Sequence, residues 1–225
     1  MSFKIFKKKI FNSFKEAEKN LGNQNIYFSK DYLSRNLIKL KKINKIKKFH
    51  EYEYTFIKFL YSILLNQNTK KTFNLLDYGG GIGNIILEII KKKYFHKQLK
   101  VSIFDNNYNL VKEGKKFFEK KVDRKYLKNI KFLKHLSKKQ NYDAIHFGSM
   151  MEYISEDDDN FFSSIFSKIK KKPTHIFFSD IYISKNNKDF FVIGKYYKKN
   201  FVVRFRNIKK LIKLMNSFGY KIIDK

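Results

Sequence analysis

Cysteine and tryptophan are absent from this 225-residue chain, proline occurs once and alanine twice. Without cysteine there is no disulfide, no thiolate metal ligand and no thiol nucleophile. No run approaches the roughly 18 apolar residues that a membrane-spanning helix needs, and the longest candidate, Tyr54 to Leu65, is shorter and carries Lys58. Met1 to Phe14 alternates lysine with apolar residues and shows neither a signal-type apolar stretch nor a small-residue cleavage site. The expectation is a soluble, cytoplasmic protein, and 43% hydrophobic content is enough for one full core. Arginine is also scarce: of 50 basic residues only Arg35, Arg124, Arg204 and Arg206 are not lysine.

Positive charge, by contrast, is abundant, with a net +30. Lysine, asparagine, isoleucine, phenylalanine and tyrosine share A/T-rich codons, so base composition accounts for much of the excess. A dedicated nucleic-acid reader would use arginine, whose planar fork grips phosphates and guanine edges. Nucleic acid is therefore the weaker expectation as a partner. Six of the ten residues from Lys39 to Lys48 are lysine. Two readings of that stretch stand: a solvated helix face, or a patch for an anionic partner such as lipid headgroups, acidic glycan or RNA. Lipid headgroups as that partner would make the protein peripheral at the inner face of the membrane.

The chain opens with an apolar spacing of three to four residues at Phe11, Phe14, Ala17 and Leu21, ended by Gly22. A second helix is expected from about Asp31 to Lys48, with Leu33, Leu37, Leu40, Ile43 or Ile46 inward, and a third from about Tyr52 to Leu65. Asn66 to Lys71 is a polar break. Each helix has one apolar face to bury, so residues 1–71 are expected as a helical cap on a core domain of residues 72–225.

From Thr72 strands and helices alternate. Strands are expected at Phe73–Tyr78, Leu99–Phe104, Ile130–Leu133, Tyr142–Phe147 and Thr174–Asp180, and helices near Asn84–Lys93, Tyr108–Lys121 and Asp157–Ile169. This predicts an α/β fold with a mostly parallel twisted sheet covered on both faces. The acidic run Glu156 to Asp159 reads as a helix start with a Ser155–Asp158 capping box, favoured over a metal site. Lys168 to Lys172 and Pro173 close that helix. Beyond Ile181, strands are expected at Phe190–Ile193 and Phe201–Phe205, a helix at Ile208–Ser217 with Gly219 after its end, and a last strand at Tyr220–Ile223.

Four of the nine glycines fall between positions 79 and 83, after the apolar run Leu75-Leu76 and Asp77 and before a helix carrying Ile85, Ile86, Ile89 and Ile90. Strand, glycine turn and helix form a unit in which a small ligand rests against bare backbone. The dinucleotide fingerprint would require glycine at position 84, which is asparagine. An acid two residues before the first glycine repels pyrophosphate and suits a cation. Asp105, at the end of the next strand, can accept both hydroxyl hydrogens of a ribose, with Asn106 beside it. An adenosine with a cationic tail, S-adenosylmethionine, satisfies both carboxylates.

These residues resemble the class I S-adenosylmethionine-dependent methyltransferases, which have a Rossmann-like fold. Leu75 to Gly83 is similar to their first motif, Phe104-Asp105-Asn106 to the ribose motif, and Asn141 to Ile154 to the fourth strand and following loop. Phe11 to Ala17, the triple glycine and Phe201 to Tyr220 resemble a methyltransferase family of bacterial surface-polysaccharide (O-antigen-type) gene clusters. The resemblance implies cofactor contacts from Asp77, Gly79, Gly80, Gly81, Asp105, Asn106 and Ser149, with Met150 and Met151 lining the cleft and His135 and Leu136 bordering the adenine. Glu152, Tyr153 and Asp180 are the candidates for a catalytic base. His146, within a strand, reads as a hydrogen-bonded core residue. No triad is visible, and five histidines without cysteine make zinc an unsuitable metal.

The function expected is methyl transfer to a small-molecule or glycan-linked acceptor in cell-surface polysaccharide biosynthesis. The alternatives are an RNA methyltransferase and a noncatalytic protein retaining the fold. The class I pattern usually closes its sheet with an antiparallel strand; either Phe190 to Phe205 supplies it or the sheet is short.

Overall fold

The computed structural model of the chain describes residues 4–5, 9–21, 29–43, 51–66, 71–185, 187–196 and 199–223. Gly22, Ile46, the lysines at 45, 47 and 48, and most of the polar break after Asn66 lie outside the described residues. Contacts group the chain into two units: one of Phe28–Gly148 and Phe166–Asp180, the other of Met1–Tyr27, Ser149–Ile165 and Ile181–Lys225.

The first unit is built on five parallel strands, β2 (Phe73–Tyr78), β3 (Leu99–Phe104), β4 (Ile130–Leu133), β5 (Ala144–Phe147) and β6 (His175–Phe178). Their order is β4-β3-β2-β5-β6. The central β2 is buried at five of its six positions, which is why it reads as a nearly continuous apolar run. The chain runs outward from β2 through β3 to β4, then returns to the other side of β2 as β5. That reversal makes the β2/β5 boundary the switch point, where open parallel sheets leave a crevice beyond the carboxyl ends of the strands.

Register aligns those ends in one row. Leu133 pairs with Phe104, Phe104 with Tyr78, Tyr78 with Phe147 and Phe147 with Phe178. The glycine loop, Asp105, Gly148 and Ser179 thus all leave the sheet at the same edge. Helix α4 (Asn84–Lys91) buries Ile85, Ile86, Leu87, Ile89 and Ile90. Helix α5 (Tyr108–Lys121) buries Leu110, Val111, Gly114 and Phe118, a single stripe at helical spacing. The short α6 (Arg124–Leu127) follows it. Helices α2 (Lys30–Ile43) and α3 (Glu51–Asn66) send Leu40, Ile43, Phe56, Ile57, Leu60 and Leu64 into the same core as the sheet.

The second unit contains β1 (Lys4–Ile5), α1 (Phe14–Lys19), a 3-10 turn at Met151–Tyr153, most of α7 (Asp158–Ser167), the antiparallel β7 (Phe190–Tyr196) and β8 (Lys199–Phe205), and α8 (Ile208–Ser217). β1, β7 and β8 form a three-stranded sheet. Alternation along the hairpin splits its apolar residues: Phe191, Ile193 and Val202 pack with Phe11 and Ala17, whereas Val192, Phe201 and Val203 pack with Tyr153 and Tyr182.

Several sequence expectations change here. The units cut across the boundary drawn at 71/72, because α2 and α3 share the sheet's core while α1 packs on the hairpin. Among the described residues the five-stranded sheet has no antiparallel closing strand, and the Phe190 to Phe205 region pairs with itself and β1 instead. Tyr220 to Ile223 is not a strand; Ile222 and Ile223 stay 43% and 80% exposed, so no burial fixes a register there. Phe11 is not helical: it bridges Phe191, and the helix begins after Ser13, whose hydroxyl caps Glu16 N–H. Helix α7 is capped by Asp157, which accepts from Asp159 N–H, and not by the Ser155–Asp158 box. Helices α5 and α8 have the bounds read from the sequence.

Candidate functional site

β2 delivers Asp77 to the row of strand ends, and register sets it beside Ile103 of β3 and His146 of β5. Asp77 is 1% exposed. Its Oδ1 lies 2.9 Å from His146 Nδ1, while its Oδ2 is buried with no hydrogen-bond partner. A bare buried carboxylate oxygen costs about 1–3 kcal/mol or more, so a donor is expected to meet it.

The glycine loop follows. Gly79, Gly81 and Gly83 stand at φ of 75°, 55° and 85°, conformations that side-chain-bearing residues rarely adopt. Gly79 and Gly80 N–H both donate to Phe104 O, at 2.8 and 3.0 Å, folding the loop over β3. A Cβ on Gly80 would come within 2.4 Å of Asp77 Oδ2, so the bare position is a condition for the carboxylate's placement. Behind the loop, a Cβ on Gly114 of α5 would meet the Ile82 backbone at 2.6 to 2.9 Å. Gly114 was not singled out in the sequence; a lone glycine inside a helix's buried stripe is the signal that identifies it.

Asp105 is 3% exposed. Its Oδ2 accepts Gly81 N–H at 3.0 Å and its Oδ1 accepts Asn107 N–H at 2.7 Å. Each oxygen keeps a second lone pair for a ligand hydroxyl. Burial, aided by the Asp77 charge and opposed by the two N–H donors, pushes the Asp105 carboxyl up to about 6. Asn106 is exposed, and it is Asn107 that caps α5 by accepting from Asn109 N–H.

The sequence showed no triad, but the structure holds a Ser–His–Asp chain. His146 Nε2 lies 2.7 Å from Ser179 Oγ, and Nδ1 reaches Asp77. The three residues come from β5, β2 and the end of β6, and only strand pairing brings them together. His146 is 2% exposed and lies stacked on Phe56 of α3, with ring centroids 3.9 Å apart at 14°. Ser179 was missed; it lies two residues beyond Phe177, the register partner of His146, and so shares its face. Asp180, a candidate base, follows it at φ 59°, the left-handed region that aspartate tolerates better than most residues. His135 is exposed and Leu136 half-buried after β4.

The remaining candidates belong to the other unit. Ser149 is exposed, Met150 and Met151 are buried, Glu152 is 2% exposed, and Tyr153 packs beside Phe201. The turn bearing them is tied down by Arg206, whose guanidinium donates to Met151 O and to Asp158. Arg204 donates to Asp158 at 2.9 Å and to Asp189 at 2.6 Å. Burial lowers the Arg206 value from the usual arginine range, with Asp158 opposing the change. Burial works against the Asp189 charge, yet Asn207 N–H and Arg204 hold its carboxyl below the usual range. Among the described residues no group of three or more His, Asp or Glu is arranged to hold a metal. No helix among them is long and apolar enough to cross a membrane.

Residues 33–225 match the family model described as a methyltransferase domain. Among solved structures, the chain is similar to an S-adenosylmethionine-dependent methyltransferase from Clostridium acetobutylicum (12% identity, 86% of this chain and 89% of that one, TM-score 0.52). It is also similar to the magnesium protoporphyrin IX methyltransferase of Synechocystis with bound cofactor (10% identity, 97% and 91%, TM-score 0.52). A third likeness is to a glycopeptide N-methyltransferase complexed with S-adenosylmethionine (8% identity, 73% and 83%, TM-score 0.50). At these identities the likenesses establish the Rossmann-like fold. Comparison with curated proteins gives no match.

Proposed function

The chain belongs to the methyltransferase domain family, and we propose that it transfers a methyl group from S-adenosylmethionine to a small-molecule or glycan-linked acceptor, in cell-surface polysaccharide biosynthesis. The observation that carries the cofactor reading is the pair of buried carboxylates at adjacent strand ends, one with a bare oxygen and the other with spare lone pairs. That donor set fits a ligand with a cationic amine and a ribose diol. Asp77 Oδ2 would hold the amine, Asp105 the two hydroxyls, and Gly79, Gly80 and Gly81 the flank against bare backbone.

When bound, the cofactor supplies an electrophilic methyl group on a sulfonium. The chain's own task is to orient, since an in-line displacement gains much of its rate from positioning. Where the acceptor must lose a proton, Glu152, Tyr153 or Asp180 is the group to receive it. An acceptor other than RNA is supported by the arginines: two of the four, Arg204 and Arg206, are buried in ion pairs with Asp158 and Asp189 and cannot read phosphate. Exposed Lys41 and Lys42 on α2, with the lysines that follow them, would dock on an anionic membrane surface, each worth about 1 kcal/mol.

Titration calorimetry with S-adenosylhomocysteine tests the cofactor. Wild type should bind, and Asp105→Ala should bind far more weakly; no binding by wild type would overturn the proposal. Transfer of labelled methyl to cell-envelope precursors tests the acceptor. Transfer to RNA instead, with the logarithm of affinity falling against the logarithm of salt concentration by about 0.7 to 0.9 per neutralised phosphate, would replace the acceptor class. Cosedimentation with anionic vesicles, lost in Lys41→Glu/Lys42→Glu, tests the docking.

A further inference from the structure

The hydrogen-bond chain behind Asp77 reaches residues that the cofactor itself would not touch. A carboxylate only accepts, so with Asp77 ionised the proton shared with His146 sits on Nδ1. In that tautomer Nε2 accepts, and Ser179 Oγ–H donates to it across 2.7 Å. Asp77 therefore sets the tautomer, and Ser179, whose hydroxyl can turn to donate, satisfies Nε2 and holds the far side of the ring. Phe56, stacked 3.9 Å from the imidazole, fixes the ring plane. The last aspartate torsion is soft, with two broad wells and no deep staggered minimum. Without a fixed partner on Oδ1, the Asp77 carboxylate could turn and lose the direction of its bare oxygen.

We infer that His146 is a positioning residue of the ligand site: it pins Asp77 Oδ1, Ser179 anchors the ring through Nε2, and Oδ2 is thereby presented to the ligand's ammonium group. This rests on the S-adenosylmethionine reading above. It assigns work to two residues outside the glycine and ribose motifs, and it confines that work to the amino-acid end of the ligand. Loss of one charge-assisted hydrogen bond of this type weakens binding by about 10- to 100-fold.

The test compares S-adenosylhomocysteine, which carries the ammonium group, with 5′-methylthioadenosine, which lacks it. Calorimetry is run on wild type, His146→Asn, His146→Leu and Ser179→Ala. Asparagine places an amide N–H near the position of Nδ1 and keeps the donor to Asp77; leucine removes it. The expected result is that His146→Leu loses about 10- to 100-fold for S-adenosylhomocysteine, His146→Asn stays within about threefold, and Ser179→Ala falls between them. Binding of methylthioadenosine should stay within about threefold throughout. Equal losses for both ligands, or equal losses in His146→Asn and His146→Leu, would overturn the inference and make His146 a packing residue. If His146→Leu does not fold, the His146→Asn and Ser179→Ala pair decides: an asparagine variant much weaker than the alanine variant overturns it. Failure of wild type to bind either ligand would instead overturn the cofactor proposal.

Discussion

The two units each bury a cluster of charged side chains, and the clusters are finished differently. In the hairpin unit, two arginines meet two aspartates, and both carboxylate oxygens of Asp158 and of Asp189 accept hydrogen bonds, although Arg204 Nε is left buried without a partner. In the sheet unit, Asp77 and Asp105 are as buried as Asp158, but among the described residues no lysine or arginine pairs with them. Asp77 keeps one bare oxygen, and burial lifts Asp105 to about 6. A closed cluster spends its interactions on holding the fold. An open one retains an unmet electrostatic demand, which on the proposed reading a cationic ligand satisfies.

The sharpest way to break this contrast is to remove one aspartate from each cluster. Asp158→Ala leaves two buried guanidinium groups short of a partner and should cost about 3–5 kcal/mol, roughly 6–20 °C in melting temperature for a chain of this size. Asp77→Asn should do the reverse: His146 keeps an acceptor, the unmatched charge disappears, and the melting temperature holds or rises. Its affinity for S-adenosylhomocysteine should fall by about 100-fold. Scanning calorimetry and titration calorimetry on the pair check both arms. If Asp77→Asn unfolds as readily as Asp158→Ala, Asp77 belongs to a structural cluster as well.

A pH series sharpens the comparison on the open side. Because the Asp105 value is raised, the fold prefers it protonated; that contribution is complete below the ordinary 3.8 and is lost as pH rises through about 6. On the proposed reading, ligand binding needs the ionised form and has the opposite slope. Affinity for S-adenosylhomocysteine should be highest above about pH 6 and fall by up to about tenfold per unit below it. Asp105→Asn should bind weakly at every pH and flatten the slope, and a slope that survives the substitution would assign it to another group.

Much of the sheet unit was legible because its signals are local. Apolar runs, the glycine loop, Asp77 and Asp105 sit within single stretches of chain, and α5 was bounded correctly by its own periodicity. What escaped is made by register. Ser179 and His146 are 33 residues apart and Asp77 is 69 from His146, so nothing short of the β2-β5-β6 order joins them. The same holds for Asp158: as a sequence feature it is one acid in a capping run, and only the hairpin's fold sets Arg204 and Arg206 against it. Of the two alternatives left open for the sheet's edge, the short sheet holds among the described residues, and the choice was not legible because strand propensity says nothing about which sheet a hairpin joins.

The smallest predicted effect bears on the closed cluster. Half of this chain's arginines sit in one buried network, although its composition favours lysine everywhere else. Arg204 donates from two nitrogens to Asp158, to Asp189 and to the Glu156 carbonyl, a divergent set that the planar fork spans and a single ammonium does not. Arg204→Lys preserves the charge and removes the fork. It should cost about 1 kcal/mol, or roughly 2–4 °C in melting temperature, with S-adenosylhomocysteine affinity unchanged. A variant as stable as wild type would show that only charge is required there, and then the two clusters would differ in their count of charges and not in how completely their carboxylates are bonded.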